Sequence, residues 1–174
     1  RVAGIEAFRR SACRAAASLF EDAILACGRR PETDETMREM CDLRLHAVRA
    51  LIPIGQFSRI HEHLGAAERL AAALDDPPRI GRVANFLSRY FWVVGDTGRA
   101  RAAGEQALAV AAKLNDPLLA AMARYSIGIV CHATGDYGTA IEALSHNVAA
   151  WRCAAGDHTG PDDVDVPRSI VEDL

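Results

Sequence analysis

Glycines recur along this chain at a fixed step, and that step constrains the fold more than any other feature. Gly55-Gln56-Phe57, Gly95-Asp96-Thr97 and Gly135-Asp136-Tyr137 follow one another at intervals of 40 residues. The longest match sets Gly95-Asp96-Thr97-Gly98-Arg99-Ala100 against Gly135-Asp136-Tyr137-Gly138-Thr139-Ala140. A second marker keeps the same step, Leu74-Asp75-Asp76-Pro77 against Leu114-Asn115-Asp116-Pro117. Two unrelated markers sharing one period indicate a repeated supersecondary unit, not one irregular core.

Each marker has a local physical meaning. Glycine accepts the left-handed conformation that ends a helix, and the Asp after it can cap the next one. Asp76-Pro77 and Asp116-Pro117 read as an N-cap followed by proline at the first helical position, since proline deeper in a helix is costly. Between markers the apolar residues follow helical steps. Ala100, Ala103, Ala107, Val110, Ala111 and Leu114 form one expected buried face. Each unit is therefore helix A, a Gly-Asp turn, helix B and an Asp-Pro turn. The expected hairpins span about 3–28, 34–74, 78–114 and 117–154, giving a helical domain over 1–155. Within the second hairpin, helix A is expected over 34–54. Residues 156–174 read as an acidic loop or tail, in which Pro167-Arg168-Ser169-Ile170 could begin a further helix.

Composition narrows the class. Half of the 174 residues are hydrophobic but only 6% are aromatic, and alanine favours helices in close contact over a sheet core. A net charge of −3 argues against binding nucleic acid or an anionic membrane. No apolar run is long enough to span a bilayer. Charge is nonetheless uneven: residues 1–30 hold six Arg against three acids, and 151–174 hold six acids against two Arg. The five cysteines, Cys13, Cys27, Cys41, Cys131 and Cys153, are odd in number and lack CxxC spacing, so they read as buried thiols in a reducing, cytoplasmic compartment. The opening Arg1-Val2-Ala3 carries neither an initiator Met nor a signal-peptide pattern, which suggests a fragment or processed form.

A helical pair joined by Gly-Asp-Tyr, with Ala five residues after the Gly, resembles the tetratricopeptide repeat. The match is good at Gly128, Gly135, Tyr137 and Ala140, fair at Gly95, Ala100 and Ala107, and weaker at Gly55, where Ile60 replaces the small residue. The resemblance implies an all-α superhelix, a right-handed solenoid of about three and a half hairpins, in which the turn aromatic fills a gap. A narrower resemblance rests on Asp42-Leu43-Arg44-Leu45, Ala50-Leu51-Ile52-Pro53-Ile54-Gly55, Arg79-Ile80-Gly81-Arg82-Val83, Tyr90-Phe91-Trp92 and His132-Ala133-Thr134-Gly135-Asp136-Tyr137. These runs look like the C-terminal repeat region of bacterial signalling proteins that carry adenylate/guanylate cyclase-like and AAA-ATPase domains. Neither a Walker A lysine loop nor a cyclase metal-binding stretch occurs in this sequence.

In the tetratricopeptide family the A helices build the concave wall along which ligands lie. Counting back from the turn glycines places Asp42, Leu45, Arg49 and Ile52 there, then Arg82, Asn85, Arg89 and Trp92, then Met122, Tyr125, Ile129 and His132. Arg82, Asn85 and Arg89 share a helix face. Arg can hold a carboxylate through two parallel bonds and Asn can clamp a peptide backbone. The candidate groove is thus Arg49, Arg82, Asn85, Arg89, Trp92, Tyr125 and His132, suited to an acidic or C-terminal peptide. The competing reading is that its polar residues are solvated, or pair with Asp42 and Glu39, and that Trp92 is packing.

Other constellations fail on geometry. His61 and His63 lie two apart on a helix, about 200° around its axis, and cannot grip one ion. Adjacent Cys131-His132 has the same defect, and Asp162-Asp163 with Asp165 lack a calcium loop. No Gly-x-Ser-x-Gly turn occurs. The expectation is a non-catalytic interaction scaffold without metal or cofactor. It would bind a protein or acidic peptide and could self-associate through the open end of its array. The alternative is a small-molecule or peptide sensor that regulates a linked cyclase or ATPase domain.

Overall fold

A computed structural model describes residues 1–155, with side chains through residue 149. The acidic tail over 156–174 and the helix start at Pro167 lie outside the described residues. Eight α-helices follow in order: α1 (Val2–Arg9), α2 (Cys13–Cys27), α3 (Asp34–Leu51), α4 (Phe57–Ala73), α5 (Pro77–Val93), α6 (Thr97–Leu114), α7 (Pro117–Ala133) and α8 (Tyr137–Ala155). Each packs on its sequence neighbours, and α5 also touches α3 and α7. The result is an all-α superhelical arrangement with no strand among the described residues.

The markers do the work their chemistry predicts. Gly55, Gly95 and Gly135 have φ of 67°, 86° and 81°. After Gly95 the Asp96 N–H donates back to the Phe91 carbonyl at 2.8 Å, and Asp136 donates to that of Cys131 at 2.9 Å. Such reverse bonds satisfy carbonyls that the helix end leaves open. The carboxylates of Asp76, Asp96, Asp116 and Asp136 accept from the backbone N–H three residues on, at 3.1, 3.0, 2.9 and 3.3 Å. The second marker holds a feature of its own: Asp75 and Asn115, also 40 apart, have φ of 44° and 51°. Short polar side chains tolerate that region where most residues do not.

Three expectations are corrected. The helix expected to reach residue 54 stops at Leu51, and Ile52–Ile54 forms a 3-10 turn containing Pro53, which lacks the N–H that α-helix continuation needs. Leu114 leaves the buried face because it is the last residue of α6, beside left-handed Asn115, and is 37% exposed. Tyr137 fills no interior gap: it lies exposed at the start of α8, its ring edge-on to His132 at 5.6 Å.

The interior changes character along the stack. From α1 to α5 it holds large side chains, with Phe20, Leu43, Leu51, Ile60 and Leu64 all fully buried. From α5 to α8 it narrows to small groups such as Ala84, Ala107 and Ala123, then Ile127, Cys131 and Ala140. There side chains of neighbouring helices press against glycine backbone. A Cβ placed on Gly104 would lie 2.8 Å from Ile127, and one on Gly128 2.8 Å from Leu144. No helix among the described residues is long and apolar enough to cross a membrane.

Candidate functional site

One pocket of about 480 Å³ opens across α3, α5 and α7, the three successive A helices. Helix α3 supplies Leu45, His46 and Arg49 to it, α5 supplies Arg82 and Phe86, and α7 supplies Leu118 and Met122. These side chains converge because each A helix turns the same face inward, at steps of three and four residues. A smaller depression of about 210 Å³ between α4, α5 and α6 is lined mainly by Ala and aliphatic residues.

A chain of ion pairs borders the pocket. Asp42 on α3 accepts from Arg79 at 2.7 Å and from Arg82 at 3.1 Å, both on α5. Arg79 also donates to Asp76 at 2.6 Å, and Arg38 approaches Asp76 at 3.6 Å. Burial opposes charge on Asp76, yet the backbone N–H and guanidinium of Arg79 hold its carboxyl below the usual range. The same two carboxylates raise the Arg79 pKa against its own desolvation. Arg82 keeps a side chain 45% exposed, whereas Asp42 is only 15% exposed. The carboxylate is thus occupied from both sides while one of its partners still faces the pocket.

His46 is the pocket residue that glycine counting passes over. Its ring stacks on Phe20 with centroids 5.3 Å apart. Burial, helped by Arg1 and Arg49 and opposed by Asp42, pushes its pKa down to about 4. The imidazole is therefore neutral at pH 7, with one nitrogen a donor and the other an acceptor. The missed signal was the adjacent i+4 position: a helix face wide enough for 42, 45 and 49 also includes 46, and 82 brings in 86.

The structure divides the candidate groove residues. Arg49 and Arg82 line the pocket, and Arg49 lies over the Phe8 ring at 5.6 Å. The inner-wall positions Asp42, Leu45 and Met122 line it as well. Asn85 does not face the groove. It is 1% exposed, and the Ser126 hydroxyl donates to its Oδ1 at 3.0 Å, tying α5 to α7. Arg89, Trp92, Tyr125 and His132 lie outside the pocket lining, with Trp92 39% and Tyr125 48% exposed. The repeat explains Tyr125. Asn85, at the equivalent position of the preceding repeat, is covered by the following A helix, and no following A helix lies among the described residues. Glu39 pairs with Arg30, not with the groove arginines.

The remaining clusters go to structural tasks. His61 stacks on Tyr90 at 5.3 Å, whereas His63 faces Glu21 at 3.3 Å and Arg44 at 3.4 Å. Arg59 reaches the same Glu21, so α2 and α4 are joined through one carboxylate. Cys131 is fully buried and burial raises its thiol pKa, while neighbouring His132 is exposed. No group of three metal-ligating side chains occurs among the described residues.

Comparison with known proteins bears on the fold. No family model matches the chain, and no curated protein does. Among solved structures the chain is similar to BtubC (BKLC) from P. vanneervenii, with a TM-score of 0.73 at 20% identity. The likeness covers 89% of this chain and 63% of that one, so this chain spans less than two thirds of the length of its structural neighbour. At that identity the shared property is the helical arrangement itself.

Proposed function

We propose that the chain is a tetratricopeptide-like binding module that acts without catalysis, recognising a protein or peptide partner along its A helices. The observation that carries this reading is the pocket across α3, α5 and α7, where Arg49 and Arg82 stand over an apolar floor. Fixed cationic forks beside apolar surface suit a segment bearing carboxylates between apolar residues. The partner is therefore acidic. Tyr125 on α7 and Ile141 on α8, 48% and 67% exposed, offer a second surface for self-association. The resemblance to cyclase- and ATPase-linked repeat regions supports reading such a module as part of cytoplasmic signalling.

An array of short acidic, neutral and basic peptides, probed with the chain and with Arg49→Glu/Arg82→Glu, tests this. Capture concentrated on acidic members and lost in the variant supports the groove; equal capture by both proteins removes it. A second reading, a sensor for a small molecule that regulates a linked enzymatic domain, is favoured by the pocket itself, whose volume falls in the usual range for small ligands.

A further inference from the structure

The pocket lining is of two chemical kinds. Leu45 and Phe86, with Leu118, Leu119 and Met122 of α7, are its apolar part. Arg82, Arg49, Arg1 and His46, with Asp42 and Asp116, are its polar part. The acids nearby are already engaged. Asp42 accepts from Arg79 and Arg82, and Asp116 caps its own helix through the Leu119 N–H at 2.9 Å. Arg79 offsets the charge of Asp42, so Arg82 faces the pocket with donors to spare, since a guanidinium carries five N–H groups. His46 offers a neutral ring able to donate one bond. Apolar lining beside a few convergent polar groups is the usual composition of a small-molecule site.

We propose that this pocket binds a small organic monoanion, a carboxylate on an apolar body about the size of a phenylalkyl chain. The proposal rests on the groove reading above and names the chemistry of one part of it. The apolar part has no use for a free inorganic anion, which would leave it wet. Asp42 and Asp116, both in the lining, take up part of the positive charge that Arg79 and Arg82 bring, so a single carboxylate is the anion the pocket matches best. The carboxylate meets the Arg82 fork, with His46 and Arg49 beside it, while the body covers Phe86 and Met122.

Calorimetric titration of the full chain with 4-phenylbutyrate, and with the uncharged 4-phenylbutan-1-ol, tests the proposal. The acid should bind saturably and the alcohol at least tenfold more weakly. Arg82→Gln should weaken the acid at least tenfold. Leu118→Trp, which fills the apolar part and leaves every charge in place, should abolish binding while the melting temperature is retained. Arg101→Gln, paired with Glu105 and Asp136 away from the pocket, should change nothing. Equal affinity for acid and alcohol, or acid binding that survives Leu118→Trp, overturns the proposal. So does binding of acetyl-Gly-Gly-Phe with a free carboxylate in the absence of phenylbutyrate binding, which assigns the pocket to a chain terminus. Acidic-peptide capture that depends on Arg49 and Arg82, without phenylbutyrate binding, sinks this inference alone. Loss of both sinks the groove reading with it.

Discussion

Gly95 has φ of 86°, and a Cβ added there would meet nothing within 4 Å. Only the backbone conformation restricts that position, so Gly95→Val isolates the left-handed turn from any packing effect. The substitution should destabilise by about 1–2 kcal/mol, the usual penalty for an L-residue in that region, and lower the melting temperature. An unchanged melting temperature would remove the turn assignment. Asn85 is the complementary case, a polar residue at a position where the preceding repeat has Leu45. Replacing it by Leu leaves the Ser126 hydroxyl without its acceptor in a buried contact. Asn85→Leu alone should cost about 1–3 kcal/mol, and Asn85→Leu/Ser126→Ala should recover most of it, because removing both partners is far cheaper than orphaning one. Denaturant melts of the two variants decide the point.

At the scale of the helix, the Asp-Pro starts differ in what they hold. Asp116 caps α7 alone, whereas Asp76 caps α5 and also accepts from Arg79 beside Arg38. Asp116→Ala should cost about 1 kcal/mol, and Asp76→Ala measurably more in the same chemical-denaturation series. Helix ends were legible in the sequence because their chemistry is local: a glycine, a capping Asp and a proline act within five residues. Asn115 and Asp75 carried a similar local signal, hidden only because neither is glycine. The site was legible in part. Arg49, Arg82, Asp42, Leu45 and Met122 were reached by counting back from the turn glycines to the inner wall that the tetratricopeptide resemblance implies, but counting cannot tell which neighbour covers a position. Asn85, Arg82 and Arg89 share a helix face in projection, yet Asn85 is sealed against α7 while Arg82 faces the pocket. His46 was missed for the converse reason, as a neighbour of the counted positions that the width of the face includes.

Among the described residues the interior of α2–α4 holds the bulkiest side chains, while α5–α8 mix alanine and glycine with Leu119, Ile127 and Val130. The largest fully buried side chains, Phe20, Leu43, Leu51, Ile60 and Leu64, all lie in α2–α4, and each apolar group removed from water contributes in proportion to area. Amide hydrogen exchange should therefore show α2–α4 protected longest and α7–α8 opening first; uniform protection would contradict this difference. Acid should act on the opposite half. His46 has a folded pKa near 4 against 6.5 unfolded, and His63 is lowered by burial in spite of Glu21. The unfolded chain then binds more protons between pH 6.5 and 4, so stability falls as pH falls through that window, by on the order of 2–3 kcal/mol for His46. Below it, Glu21 and Asp76, held under their usual range by arginine partners, add a further loss of the same sign. Melting temperature against pH should slope downward from 6.5 to 4, and His46→Phe should flatten that slope.

The pocket spans three helices that belong to three consecutive hairpins. Its width is therefore set by the angle at which one hairpin sits on the next. In a linear array such angles add, so a small wedge between α3, α5 and α7 becomes a large sideways sweep at α8. An occupant of the pocket works as a setting on a lever. The curvature of the stack, readable from the distance between labels on α2 and α8, reports whether the pocket is filled.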